Sequence, residues 1–368
     1  MTTTVLDLIG WTPVVELKNL ALPYGARMVA KWERTNPGGS IKDRPALRII
    51  DEAERRGLLR PGGTIIESSS GNFGISVAMI AAARGYRSII LVDPKTTEAN
   101  LAVLRAFGAE VIVVDEPDDS GSYHKTRIKK ANDLAAMIAG AFRPDQCFNL
   151  LNSRAHYEST AVELLKQVGP ELAALVATVS TGGQLGGLSQ RLLEENQSIR
   201  VIGADAVGSG IFAGQPMSYR TPGVGLSWTP SNIDLSFVHQ AVQVPDELAF
   251  QGCRLLARRE GLLTGASSGL AFAAAVKIAA EMCPSEAVAM VLSDGGDRYL
   301  SNVYSDDWLG NHDMNPHIEY DDFVRRCVEL PWLRDLKPHG TPLDELYEQL
   351  SVPTSTAYLS EIALGSIE

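Results

Sequence analysis

TIIESSSGNFGISVAMIAAARGYRSIILVD, residues 64–93, carries an alternation that extends over most of the chain. TIIE (64–67) and SIILVD (88–93) are short apolar runs of the kind that form strands buried on both faces. Between them, GNFGISVAMIAAARG is a helix closed by Gly85 in the helix-stop position. TTEANLAVLRAFG, closed by Gly108, leads in the same way to a third strand, EVIVVD (110–115). Strand, helix, strand, helix, strand predicts an α/β fold with an open, doubly wound parallel sheet.

Outward from this unit the pattern repeats. A helix is expected from Tyr123 to Ala139, then helix 153–168, strand AALVATVS (173–180), helix 184–196 and strand RVIGADA (200–206). Residues 207–245 are rich in Gly, Pro and Ser and read as loops. Helices 246–260 and 267–282, strand AVAMVLSD (287–294) and a helix from Arg298 complete a second α/β unit. Two such units with a cleft between them would hold a ligand at the carboxyl ends of their strands. From Asn311 the sequence keeps short helical fragments but no clear strand, which fits a C-terminal extension over a neighbouring subunit or a partly ordered tail.

The 368 residues leave room for two cores, and the composition, 45% hydrophobic and 21% charged, is that of a globular protein. A net charge of −11 offers no basic excess for phosphate backbones, so nucleic acid is not an expected partner. Cys147, Cys253, Cys283 and Cys327 lack metal-ligand spacing and read as free thiols of a reducing compartment, with no metal implied. No basic leader and no apolar run of spanning length is present, so a soluble cytoplasmic protein without a membrane partner is expected.

NPGGSIKDRPA (36–46) places Lys42 just inside a helix that reads as capped by Ser40, with Pro45 tolerated in the first turn. A lysine at the positive end of a helix dipole gains nothing for stability. Lys42 is therefore either a solvated surface residue or an amine presented for chemistry. Three polar turns lead from strands or loops into helices: ESSSGNFG (67–74), STGGQLGG (180–187) and GASSGLA (265–271). The first offers hydroxyls and N–H groups to an anion such as a carboxylate, and the second suits a phosphate at a helix start. Each alone reads equally well as a capped helix. STGGQLGG matches neither the Walker loop nor the dinucleotide fingerprint GxGxxG. Together with an oddly placed lysine, the three turns suit pyridoxal 5'-phosphate, which needs an amine for its aldehyde and a cup for its phosphate.

IGWTPVVEL (9–17), NPGGSIKDRPA, ESSSGNFG, STGGQ and GASSG resemble, in order and spacing, the fold type II pyridoxal-phosphate enzymes that include cysteine synthase and cystathionine β-synthase. The similarity covers residues 5–310. VDPKTTEANL (92–101), GSYHKTRI (121–128) and GDRYLSNVYSDDWL (296–309) resemble the N-(2-amino-2-carboxyethyl)-L-glutamate synthases, which join O-phospho-L-serine to glutamate on the way to 2,3-diaminopropionate.

The resemblance implies a larger cofactor-binding unit of residues 1–41 plus 147–310, a smaller mobile unit of 42–146 and an extension of 311–368. It implies that Lys42 carries the cofactor covalently and acts as the base for the α-proton. Asn72 meets the cofactor's phenolic oxygen, and Ser180, Thr181, Gly182, Gly183 and Gln184 hold its phosphate. Ser267 faces the pyridine nitrogen. Ser69, Ser70, Asn72 and Gln146 bind the substrate α-carboxylate, and Gly223 lies in the loop beside it. Arg127 is a candidate for an anion of the second substrate or the leaving phosphate. Its alternative is one face of a basic helix with Lys125, Lys129 and Lys130.

Phe73 stands where cysteine synthase has threonine, which either reshapes the nucleophile side or is core packing. Cys147 stands where the glutamate-using enzymes tend to carry an aromatic. A β-replacement transferase acting on small amino-acid substrates, as a homodimer, is the implied function. Alternatives are a cysteine synthase using sulfide, a catalytically silent binding or regulatory homologue, and a dinucleotide-binding protein.

Overall fold

The computed structural model describes residues 3–118, 123–212 and 216–337. In chain order the elements are β1 (Val14–Glu16), β2 (Arg27–Trp32), α1 (Asp43–Arg55), β3 (Thr64–Ser68), α2 (Asn72–Arg84), β4 (Arg87–Val92), α3 (Glu98–Ala106), β5 (Glu110–Val113), α4 (His124–Met137), β6 (Ala141–Phe142), α5 (Leu151–Ala155), α6 (Ala161–Val168), β7 (Leu172–Thr178), α7 (Gly183–Glu195), β8 (Arg200–Ala206), β9 (Gln240–Val244), α8 (Asp246–Glu260), α9 (Ala266–Ala279), β10 (Ala287–Leu292), α10 (Asp306–Gly310) and α11 (Tyr320–Glu329). They fall into two compact units, one of residues 3–9 with Lys42–Asn152 and one of Gly10–Ile41 with residues 153–337.

The first unit is a four-stranded sheet in the order β5-β4-β3-β6, parallel throughout. All five residues of β3 are buried, which is why its sequence runs apolar without alternation. Ile65 and Ile90 pack in one core with α1 and α2, while Ile66, Ile89 and Leu91 face a smaller core on the other side. The chain moves outward from β3 to β5 and then returns to β6 on the other flank of β3. The strand order therefore reverses between β3 and β6, where an open sheet leaves a crevice for ligands. Residues 3–9 belong here rather than with the larger unit, because Leu6 and Ile9 pack against the α1–α2 core. Residues 147–152 group here too, with Leu151 fully buried in the same core.

The second unit is a six-stranded sheet in the order β1-β2-β10-β7-β8-β9, with only β1 antiparallel. Successive residues point to opposite cores: Met28, Ala30 and Val176 to one, Val29, Leu175 and Ala177 to the other. The order reverses between β7 and β10.

Three strands here are absent from the sequence expectation. β9 lies inside the stretch 207–245 that reads as loops. β1 is only three residues long, and β2 hides a lysine in a buried strand. Lys31 is fully buried, its Nζ 2.6 Å from Glu163 Oε2 and 2.6 Å from the Thr12 carbonyl oxygen. A buried charge so paired leaves no trace in an apolar pattern. The helix expected over 153–168 contains a π turn, His156–Thr160, between α5 and α6. After β10 a 3-10 turn, Gly296–Tyr299, and α10 replace the helix expected from Arg298.

α8 and α9 meet backbone to backbone. A Cβ on Gly269 would lie 2.0 Å from the Ala249 carbonyl oxygen, and one on Gly252 would lie 2.8 Å from the Gly269 carbonyl oxygen. Residues 311–337 belong to this unit instead of standing apart. Phe323 of α11 is fully buried and stacks on Phe272 at 5.2 Å, and Leu333 pairs with Ala241 beside β9. The rest of the expected extension, residues 338–368, lies outside the described residues, as do residues 121–122 of GSYHKTRI.

Candidate active site

In the first unit Lys42 occupies the N-cap position of α1, with φ −70° and ψ −15°, and is half-buried. The N-cap position of this helix falls to Lys42 rather than Ser40, whose backbone forms a β-bridge with Asp294 in the second unit. What fixes the first turn of α1 is Asp43, whose buried Oδ1 accepts from Ser76 Oγ of α2 at 2.5 Å. Pro45 fits because a first-turn N–H needs no intrahelical acceptor.

The serine turn follows β3. Ser69 Oγ accepts from the Gly74 N–H at 3.0 Å and so caps α2, with Gly71 in the N-cap position and Asn72 the first helical residue. Ser70 Oγ donates to Asp93 Oδ2 at 2.7 Å and accepts a hydrogen bond from Arg127 Nη1. Asn100 holds the Ser70 carbonyl at 3.0 Å. Arg127 is no part of a solvated face. It is 8% exposed, ion-paired with Asp93 at 3.4 Å, and its buried Nε has no partner. Burial works against its charge and Asp93 supports it.

Gln146 and Cys147 lie just beyond β6, after Asp145, which has a φ of +53°. Arg143 Nη1 bonds Asn132 Oδ1 at 2.7 Å and Asp145 Oδ2 at 2.8 Å. His124 Nε2 lies 4.0 Å from Cys147 Sγ. Burial, aided by the Asp145 and Glu67 carboxylates, pushes the Cys147 thiol up to about 12. Burial with the Arg127 and Arg143 charges drops His124 to about 4. At neutral pH both groups are uncharged. Phe73 is 1% exposed within the α1–α2 core, so it removes a hydroxyl from the turn without adding a ring to the site.

Glu67 escaped the sequence reading. It is 1% exposed at the end of β3, and its two oxygens accept from the N–H groups of Ser68 and Asp145, each at 2.8 Å. Burial, partly offset by Arg143, pushes its carboxyl up to about 7. A glutamate closing an otherwise apolar run directly before a polar turn was the available signal.

In the second unit the chain leaves β7 through Ser180 and Thr181 into the N-terminus of α7. Gly182 caps that helix with a φ of +86°. A Cβ there would lie 2.7 Å from Ile233 Cγ1 and 3.0 Å from Pro230 Cγ, so glycine is required by both conformation and space. The Thr181 carbonyl accepts from Asn232 Nδ2 at 3.0 Å. Gln184 is buried; Ser293 Oγ donates to its Oε1 at 3.2 Å, while its Nε2 is buried without a partner. Ser267 lies in the first turn of α9 and is buried, and the neighbouring Ser268 Oγ accepts from the Ser293 N–H at 3.1 Å. Gly223 is exposed with a φ of +81°.

These residues fit the cofactor. The free N–H groups of a helix start, a glycine that admits nothing larger and an unused buried amide donor suit a phosphate. In the other unit, Lys42 offers a half-buried amine.

Doubly wound α/β units that carry a glycine-rich helix start in one and a lysine at a helix start in the other are those of a cofactor enzyme. The chain belongs to the pyridoxal-phosphate dependent enzymes, whose family profile matches residues 5–294. It uses pyridoxal phosphate and is of the cysteine synthase type. It is similar to the crystal structure of O-ureido-L-serine synthase, with 33% identity, a TM-score of 0.77 and coverage of 84% of this chain and 99% of that one. A hydrogen sulfide-producing enzyme from Fusobacterium nucleatum shares 31% identity at a TM-score of 0.76, covering 82% of this chain and 100% of that one. A lysine-to-alanine variant of O-ureido-L-serine synthase with O-ureido-L-serine bound shares 34% identity at a TM-score of 0.76, covering 86% and 99%. Among the described residues, no helix is long and apolar enough to cross a membrane.

Proposed function

We propose that the enzyme joins O-phospho-L-serine to the amino group of L-glutamate, giving N-(2-amino-2-carboxyethyl)-L-glutamate and phosphate, a precursor of 2,3-diaminopropionate for siderophores or peptide antibiotics. The observation that carries this reading is Arg127. It is a buried guanidinium bonded to the serine turn, with one N–H left over, suited to an anionic leaving group.

Lys42 carries the cofactor, Ser180–Gln184 hold its phosphate, Asn72 meets its phenolic oxygen and Ser267 its ring nitrogen. The bound cofactor supplies the electron sink that loosens the α-hydrogen and lets the β-substituent depart. Ser69, Ser70, Asn72 and Gln146 orient the substrate carboxylate. Freed when the substrate amine takes its place, the ε-amine of Lys42 takes the α-proton and later returns it to the same carbon, Arg127 receives the departing phosphate, and the glutamate nitrogen forms its bond at the vacated β-carbon and gives its surplus proton to solvent. Gly223 belongs to the loop beside the substrate. A cytoplasmic homodimer is part of the same proposal.

A cysteine synthase reaction is the second reading. It is favoured by Asp93, which already balances the Arg127 charge and so weakens the case for a dianionic leaving group. Mass spectrometry of products from O-phosphoserine or O-acetylserine, each with glutamate or sulfide, tests both. The glutamate adduct from O-phosphoserine is expected. Turnover with sulfide and none with glutamate would establish the second reading, and no turnover of any pair by a yellow protein would leave a silent binding homologue.

A further inference from the structure

β3 and β6, which flank the strand switch of the first unit, separate early. They pair only at Thr64–Ala141 and Ile65–Phe142, whereas β3 runs on to Ser68. Beyond Phe142 the backbone loses its ladder partner, and a buried N–H must find another acceptor. Glu67 supplies it to Asp145 through Oε2 at 2.8 Å, and its Oε1 holds the Ser68 N–H at 2.8 Å.

Both bonds lie one residue before groups assigned to the substrate: Ser68 precedes Ser69, and Asp145 precedes Gln146. The left-handed Asp145, held at its side chain by Arg143, turns the chain at that point. An apolar residue would suit this buried strand better, since burying a carboxylate is costly unless it is paired or hydrogen-bonded.

We propose that Glu67 is a positioning residue, one carboxylate that sets the spacing between the serine turn and Gln146 so that both reach a single substrate carboxylate. The proposal rests on the assignment of Ser69, Ser70, Asn72 and Gln146 to that carboxylate. The effect is therefore specific to ligands that have one.

The test titrates holoenzyme at a fixed pH of about 8, where the Glu67 carboxyl, raised to about 7, is mostly ionised. The probes are L-alanine, which has the α-carboxylate but no leaving group, and L-alanine methyl ester, with binding followed by calorimetry. The parent is expected to prefer the acid. Glu67→Gln keeps the volume but has one acceptor oxygen for two N–H groups. It is expected to raise the Kd of L-alanine roughly tenfold while the Kd of the ester stays within about twofold. Equal weakening of both ligands, or no change in either, would overturn the proposal. A parent that does not distinguish acid from ester would instead overturn the carboxylate assignment beneath it. If Glu67→Gln does not hold the cofactor, Glu67→Asp retains the charge with a shorter reach and is expected to show the same selective loss, smaller in size. An unselective loss there would count against the proposal equally.

Discussion

Replacing Gly182 by alanine tests the proposed phosphate cup on its own. The residue has a φ of +86°, and an L-residue in the left-handed region costs about 1–2 kcal/mol. The added Cβ would also sit 2.7 Å from Ile233 Cγ1 and 3.1 Å from Asn232 Cβ, and forcing carbon into a packed site costs about 1–3 kcal/mol. The total is about 2–5 kcal/mol, and it can be met in only two ways. If the turn keeps its shape, the cofactor-free protein loses stability, melting about 4–8 °C lower at the bottom of the range. If the turn relaxes, its N–H groups lose their aim, and about 2 kcal/mol is about a thirtyfold loss of cofactor affinity. Melting of cofactor-free and loaded protein, with cofactor affinity from equilibrium dialysis, measures both terms. A Gly182→Ala protein that matched the parent in melting and in cofactor affinity would refute the reasoning.

Lys42→Ala is expected to fold and to bind pyridoxal phosphate without borohydride fixing it to the chain, and to lose turnover; retained fixation would place the link elsewhere. Arg127→Lys keeps a charge but not the forked donor, and should raise KM for O-phosphoserine by about tenfold while leaving O-acetylserine within about twofold, in steady-state assays. Asp205 is fully buried with Oδ2 unpartnered, and burial pushes it from an ordinary 3.8 up to about 7. Its folded-state value exceeds the unfolded one, so the stability it contributes is complete below about 4 and disappears as pH rises through about 7. Asp205→Asn should therefore melt higher than the parent at pH 8 but not at pH 5, and identical melting shifts at both values would contradict this.

The strands buried on both faces were legible because burial leaves an unbroken apolar run: β3, β4, β7, β8 and β10 all announce themselves in this way. β2 did not, because Lys31 interrupts it and its acceptors, Glu163, Gln167 and the Thr12 carbonyl, lie elsewhere in the chain. β9 was hidden by polar Gln240 and Gln243 in a stretch otherwise rich in turn residues. The glycine-rich turns and Lys42 could be picked out by residue type and position. Arg127 stood out only through the family resemblance, since a helix with three lysines near it reads as solvated until Asp93 and Ser70 are seen beside it. Local spacing points to Ser40 as the N-cap residue, whereas Lys42 takes that position and Ser40 bridges Asp294, more than two hundred residues away.

The glycine contact between α8 and α9 bears on how this enzyme can change. Ser267 stands two residues ahead of Gly269, where no room exists for even one methyl group. A side chain arriving at position 252 or 269 would pry the helices apart and shift that serine without touching any ligand. On the proposed role of Ser267 at the ring nitrogen, sequence drift in a distant-looking helix seam would then alter the electronics of the ring chemistry, and a survey confined to ligand-lining positions would overlook the cause.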